Sequence, residues 1–327
     1  MNKLDTLVGY FETAFSDEIR KIGQTIPHKL YEPIAYSLMI GGKRLRPALM
    51  LHAASIFTKS IEHVLPAAMA IEIFHNFTLL HDDIMDKADV RRNVPTVHKK
   101  YSENVAILSG DAMSILAFKY FATGNDLQLQ KLLPLFTTTA LEVCEGQQFD
   151  MDFETRDDVT IPEYLHMIRL KTAVLLAASL KIGALLANAT AADADLLYEY
   201  GIKVGLAFQL QDDWLDVYGN PEVFGKKKGG DICSNKKTYL LLKAIEGCDA
   251  ATLKQLNDWL LQTGFDAGQK IAAVTAIYDQ TGVSDTTRNL MLSYHDQALT
   301  ALEKVSVPET RKATLKAFAA EVMQRIK

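Results

Sequence analysis

The chain has 327 residues, 48% of them hydrophobic and 23% charged, the composition of a folded rather than a disordered protein. With 35 basic and 40 acidic residues its formal charge is −5, which argues against the net-positive face of a nucleic-acid binder. Cys144, Cys233 and Cys248 are odd in number and far apart, so they form neither a disulfide framework nor a CxxC metal pair.

The N-terminal segment MNKLDTLVGYFETAF carries Asp and Glu and lacks the apolar run of a signal peptide. An amphipathic helix is expected over 3–22, with Leu4, Leu7, Tyr10/Phe11, Phe15, Ile19 and Ile22 on one side. Gly41-Gly42 breaks a second helix, and Pro47 suits the start of the next. Apolar helices are read over 47–57 and 65–86, followed by a polar loop from Lys87 to Thr96. Further helices are expected over 103–121, 127–151, 162–188, 192–217, 236–246, 251–263, 266–281, 284–304 and 308–326. The apolar stretch from Ala173 to Ala187 contains Lys181 and is too short for a membrane span. With only 18 Gly and 9 Pro, no lasting β-alternation and no linker of biased composition, one all-α domain over 1–327 is the simplest reading. It is expected to be cytoplasmic.

One short pattern occurs twice. Leu80-His81-Asp82-Asp83-Ile84-Met85-Asp86 resembles Leu210-Gln211-Asp212-Asp213-Trp214-Leu215-Asp216. Each puts aspartates at i, i+1 and i+4 of a predicted helix, on one edge. Like charges at that spacing repel, and the C-terminal end of a helix favours cations over anions. A bound cation would remove the conflict. Carboxylate oxygens without cysteine suit a hard ion such as Mg²⁺, which completes its shell with water and phosphate. Acidic runs are ordinarily solvated surface, but two copies that each close an apolar helix imply a diphosphate held between two helices. His75 shares a helix line with Asp82 and Asp86, and Gln209 with Asp212 and Asp216. Either points into the same site, or His75 is a core histidine and Gln209 an interhelical hydrogen bond.

Cations stand beside these clusters. GGKRLRP at 41–47 joins flexible glycines to three basic residues and a helix start, a setting for an anion. Arg91-Arg92 follows the first cluster, and Lys226, Lys227, Lys228, Lys236 and Lys237 follow the second. No Ser–His or Cys–His pair is apparent.

Together these pieces resemble the trans-isoprenyl diphosphate synthase family. They are GGKRLRP at 41–47, LLHDDIMD at 79–86, RRNVPT at 91–96, GQxxD at 146–150, KT at 171–172, QLQDDWLDVYG at 209–219, GKKKGGD at 225–231 and NKKT at 235–238. Order and spacing agree from about residue 40 to 240, while the last 85 residues show no usable motif. The resemblance implies a single large antiparallel helix bundle of isoprenoid-synthase type around a deep central cavity. It implies that Asp82, Asp83, Asp86 and Asp212, supported by Asp213 and Asp216, hold three Mg²⁺ on an allylic diphosphate. Arg91, Lys171, Lys226, Lys236 and Gln147 would contact that diphosphate. Lys43, Arg46, His75 and Arg92 would bind isopentenyl diphosphate, and Thr172 and Gln209 would line the reacting centre. Asn93 stands where the family usually has Gly, and a small loop adjustment is expected. A homodimer is implied as well, with no stable membrane insertion.

In that family bulky residues upstream of the first DDxxD form a floor for the growing chain. Phe77, with no aromatic directly beside it and no insertion in DDIMD, looks like a short-chain enzyme making C20 or C15, and Phe74 is a candidate second floor. Thr78, not Phe77, lies in helical line with Asp82, so this inference rests on the resemblance. Three alternatives stand beside this reading. A class I terpene cyclase would carry one DDxxD and no isopentenyl site. A non-catalytic partner subunit of a heteromeric synthase would have lost aspartates. A helical calcium-binding scaffold would need the EF-hand spacing, which is absent.

Overall fold

Long helices form here because apolar residues recur at helical spacing and the few breakers fall between the runs. The computed structural model describes residues 3–123, 126–219 and 228–324. In chain order the first elements are α1 (Lys3–Gly23), α2 (His28–Met39), α3 (Leu45–Phe57) and α4 (Leu65–Met85). A two-stranded hairpin follows, β1 (Val90–Arg91) and β2 (Val94–Pro95), with Val90 opposite Pro95 and Arg91 opposite Val94. Then come α5 (Val97–Lys100), α6 (Glu103–Phe121), α7 (Asp126–Thr155), α8 (Ile161–Ile168), a π-helical turn at Arg169–Ala173, α9 (Val174–Leu186) and α10 (Ala191–Tyr218). Shorter helices occupy Gly230–Cys233, Tyr239–Gly247, Ala250–Leu261, Ala267–Gln280, Val283–Glu303 and Glu309–Gln324. The fold is all-α, as expected.

Chain contacts divide it into two units. One holds 1–137, 178–197 and 306–314; the other holds 138–177, 198–305 and 315–327. In the first, α4 packs on α6, α3 and α2, while α1 packs on α2 and α3. The buried line of α1 is Leu4, Leu7, Phe11, Phe15, Ile19 and Ile22; Tyr10 is exposed. Apolar residues surround α4, which marks a helix enclosed by others. Among the described residues, the run Glu62–Met85 alone has the length and composition to cross a membrane. Its most apolar 18-residue window is 56% buried within the protein, like the core helix of a folded domain.

In the second unit Tyr239–Gly247 packs on α8 and on Val283–Glu303. Gly230–Cys233 and Ala250–Leu261 both rest on Ala267–Gln280. Trp214, Leu240, Leu241, Leu256, Val274 and Val283 belong to one apolar core, and the Trp214 indole N–H donates to Ser284 Oγ at 3.0 Å. Local signals fix the helix starts. Thr160 and Glu163 form a capping box on α8, and Thr238 caps Tyr239–Gly247 by accepting from the Leu241 amide, which is why that helix begins at Tyr239 and not at Lys236.

Candidate active site

The first aspartate cluster closes α4. Helix geometry ends at Met85 and Asp86 is the C-cap, so three carboxylates do sit at the negative end of the dipole. One of them has its own cation: Arg91 Nε donates to both oxygens of Asp83 at 2.9 Å, and its Nη2 lies 2.8 Å from Oδ1. Arg91 reaches back because the loop after α4 is a hairpin. Arg92 and Asn93, its two turn residues, have φ of 52° and 66°, the left-handed values that a two-residue hairpin turn requires. Asn tolerates that region better than most residues, so Asn93 fills the place of the family's Gly without disturbing the turn.

Arg92 extends to the GGKRLRP loop and donates from Nη1 to the Gly41 carbonyl. A Cβ on Gly42 would stand 2.8 Å from that guanidinium, so the second glycine makes room for it. The three cations of the loop have different surroundings. Arg44 turns inward, is buried, and pairs with Glu72 of α4 at 2.6 Å; Asn76 donates to the same carboxylate at 3.1 Å. This pair anchors the loop. Lys43 is exposed. Arg46 reaches the imidazole of His75, with Nη1 to Nε2 at 3.0 Å, while its buried Nε has no hydrogen-bond partner. Burial, then the charges of Arg46, Arg92, Arg91 and Arg44, hold the His75 pKa well below the usual imidazole range. A neutral imidazole accepts from Arg46 and leaves the surplus positive charge for an incoming anion.

Below Asp82 on α4 lies an aromatic cluster. The rings of Phe74 and Phe77 are 5.4 Å apart, and Phe77 is 4.9 Å from His81. Phe74 also meets Phe136 of α7 edge-on at 5.6 Å, and Phe136 contacts Phe118 and Phe121 of α6. In space Phe77 is not a lone aromatic. The hydroxyl of Thr78 donates to the His75 carbonyl at 2.8 Å and so serves its own helix.

The second cluster lies in the last turns of α10, which ends at Tyr218. Its surroundings are built on the π-turn Arg169–Ala173. The sequence shows no break there, but two glycines press on it. A Cβ on Gly146 of α7 would lie 2.3 Å from the Lys171 nitrogen, and one on Gly205 of α10 2.6 Å from the Ala173 Cα. Such close approach needs glycine, and π-turns recur at functional sites. It delivers Lys171 and Thr172 to a cavity of about 110 Å³ shared with Asp150, Tyr164, Gln209, Asp213 and Lys236.

Polar contacts run continuously through this cavity. Thr172 Oγ1 donates to Gln209 Oε1 at 2.9 Å, and Gln209 Nε2 donates to Asp213 Oδ1 at 3.0 Å. The other oxygen of Asp213 accepts from the buried Tyr164 hydroxyl. Burial, reinforced by nearby Asp231, raises the Asp213 pKa. Lys171 pairs with Asp150 at 2.6 Å, and despite burial the charges of Lys236 and Lys171 keep the Asp150 carboxyl below its usual value. Asp216 Oδ2 accepts from the Asp231 amide at 3.0 Å. Gln209 is therefore both an interhelical hydrogen bond and a member of the site. Gln147 is half-buried on α7, one turn before Asp150. Lys226 lies outside the described residues.

Asp150, Tyr164 and Asp231 were not singled out from sequence. Asp150 closes GQxxD and could have been found from that spacing; Tyr164, in an ordinary amphipathic helix, offered no signal. Among the described residues no three His, Cys, Asp or Glu side chains form a metal cage. Carboxylate-only donors at helix ends still fit a hard ion that takes its remaining ligands from phosphate and water.

A family model described as polyprenyl synthetase matches residues 27–278. A geranylgeranyl diphosphate synthase of Methanosarcina mazei is 40% identical over 281 residues, 85% of either chain. A geranylfarnesyl diphosphate synthase of Natronomonas pharaonis is 42% identical over 236 residues, covering 67% of this chain and 69% of that one. A crystal structure of a geranylgeranyl pyrophosphate synthase superposes with a TM-score of 0.93 at 45% identity, covering 99% of both chains. One from Pyrococcus horikoshii gives 0.90 at 29% identity over 98% of both. These similarities support a prenyl diphosphate synthase and lend nothing to the cyclase or partner-subunit alternatives. With its family model spanning most of the sequence and relatives this similar along it, the chain belongs to the polyprenyl synthetase family, the trans-isoprenyl diphosphate synthases.

Proposed function

We propose that the protein condenses isopentenyl diphosphate head-to-tail with an allylic diphosphate and releases the C20 product, geranylgeranyl diphosphate. The observation that carries this reading is the Arg46–His75 pair. It has an unpartnered buried Nε and further arginines around it, and no carboxylate takes part in the pair. A cyclase has one diphosphate to bind; this protein has a metal-type and a cation-only anion site. Lys43, Arg46, His75 and Arg92 bind isopentenyl diphosphate without metal. The family is generally metal-dependent. Three Mg²⁺, held by Asp82, Asp83, Asp86, Asp212, Asp213 and Asp216, would neutralise the allylic diphosphate as it leaves. Arg91, Lys171, Lys226 and Lys236 add positive charge to that leaving group, and Gln147, Thr172 and Gln209 line the reacting carbons. The isopentenyl double bond attacks the allylic cation, and a proton then passes to the departed diphosphate.

The whole chain acts as one domain and, we infer, as a homodimer. Leu108 and Ile115 stand two turns apart on α6 and are 59% and 69% exposed, an apolar line suited to a second copy; sedimentation equilibrium measures it. The decisive assay incubates the protein with isopentenyl diphosphate, Mg²⁺ and each of the C5, C10 and C15 primers, and sizes the products. Absence of condensation with every primer refutes the reading. Phe77→Ala should shift products from C20 to C25 or longer, and an unchanged distribution removes Phe77 from the floor.

A further inference from the structure

The helix Ala267–Gln280 lies in the stretch that offered no motif, yet it buries a lysine. Lys270 is 0% exposed. Its Nζ donates to Asn235 Oδ1 at 2.6 Å and lies 4.1 Å from the centre of the Phe265 ring. Neither partner is a carboxylate, and burial lowers the lysine pKa. An enclosed ammonium held only by neutral groups does not favour stability, since an apolar side chain of similar volume would pack without the desolvation cost.

What Lys270 holds is informative. Asn235 has a φ of 55°, and its Nδ2 donates to the Leu260 carbonyl at 2.9 Å. Both ends of the amide are thus engaged, one by Lys270 and one by the end of helix Ala250–Leu261. The next residue is Lys236, which lines the cavity with Asp150, Lys171 and Asp213. The segment before it is tied as well. Gly229 N–H donates to the Asp216 carbonyl at 2.8 Å, and Lys236 N–H to the Asp231 carbonyl at 2.9 Å. Asp216 therefore pins one end of the segment and Asn235 the other, and the second tether reaches back to Lys270.

We propose that Lys270 is a positioning residue that, through Asn235, fixes the backbone at Lys236 and places that ammonium in the cavity of the second aspartate cluster. This rests on the reading that Lys236 meets the allylic diphosphate. It also gives the C-terminal helices a part in the chemistry.

The test uses the full chain and four variants: Lys270→Met, Asn235→Gly, Lys236→Ala and the double variant Lys236→Ala/Lys270→Met. Glycine accepts the left-handed backbone at 235, so Asn235→Gly removes the amide with its bonds to Lys270 and to the Leu260 carbonyl without straining the turn, and it serves if Lys270→Met does not fold. Both tether variants should raise KM for the allylic diphosphate about tenfold and leave KM for isopentenyl diphosphate unchanged, a misplacement effect. The double variant should be no worse than Lys236→Ala, because coupled residues are non-additive. Trypsin cleavage after Lys236 or Lys237, located by mass spectrometry, should quicken in both tether variants. Unchanged allylic KM with unchanged cleavage overturns the proposal, as does additivity in the double variant or an equal rise in both KM values. A wild-type chain that condenses no primer sinks the proposed function instead. The cleavage rates, which need no substrate, still test the tether.

Discussion

Two DDxxD clusters end two helices in this protein, and their middle aspartates are treated differently. Asp83 is met by a guanidinium that grips both its oxygens. Asp213 accepts from a phenol and an amide, and among the described residues no cation is hydrogen-bonded to it, though the charge of Lys236 acts on it from the same cavity; burial raises its pKa. The middle carboxylates, at the same adverse helix end, are thus met by charge pairing in one case and chiefly by neutral donors in the other. Identical motifs do not imply identical electrostatics; the segments that follow them decide. After α4 the chain turns back as a hairpin carrying Arg91. Around α10 the contacts come from α8 and the π-turn.

The largest expected effect tests what the clusters share. Asp82→Ala and Asp212→Ala should each lower kcat/KM by at least about a thousandfold, roughly 4 kcal/mol of transition-state stabilisation. A loss confined to one cluster would break the symmetry. Next, Arg46→Met should raise KM for isopentenyl diphosphate about a hundredfold, roughly 3 kcal/mol, and leave the allylic KM alone. Equal effects on both would merge two sites held here to be separate. The middle aspartates should then differ in stability. Asp83→Asn strips Arg91 of its partner. The arginine side chain is 28% exposed, so the cost is about 2 kcal/mol rather than the 3–5 of a fully buried pair. Asp213→Asn keeps a hydrogen-bonding group among neutral partners and should cost less than about 1 kcal/mol. Denaturant midpoints of the two variants decide, and equal losses would void the contrast.

Much of this was legible in the sequence because periodicity and helix ends are local. The lines through α1, α4 and α10, and the placement of both clusters at helix ends, follow from residue spacing alone. The β-hairpin did not show because two-residue strands leave no alternation to read. The break at Arg169–Ala173 did not show because its cause lies in distant glycines, Gly146 and Gly205. The different partners of Arg44 and Arg46 on α4 were hidden for the same reason. Only the buried Glu72 explains why one arginine of GGKRLRP anchors the loop while its neighbour meets His75. Asn93 was readable in principle, since a residue tolerant of the left-handed region stands where a tight turn needs one.

The smallest effect sharpens the contrast with a buried group that has no ion-pair partner. His52 on α3 is 0% exposed. Its Nδ1 lies 3.3 Å from Ser55 Oγ, and its Nε2 has no partner. Burial, with a smaller contribution from the charge of Lys3, pushes its pKa down to about 4. The unfolded chain, with an ordinary imidazole near 6.5, binds this proton more readily than the native state. Stability is therefore intact above about pH 6.5 and falls as pH drops toward the native pKa. Between pH 7 and 5.5 the loss assignable to this residue is about 1 kcal/mol. Urea unfolding of the wild type and of His52→Leu at both pH values measures it. The variant should lose less stability on acidification, by that difference. If both lose equally, His52 finds a proton acceptor in the native state, and a buried imidazole would join Asp83 among the groups whose charge the fold does accommodate.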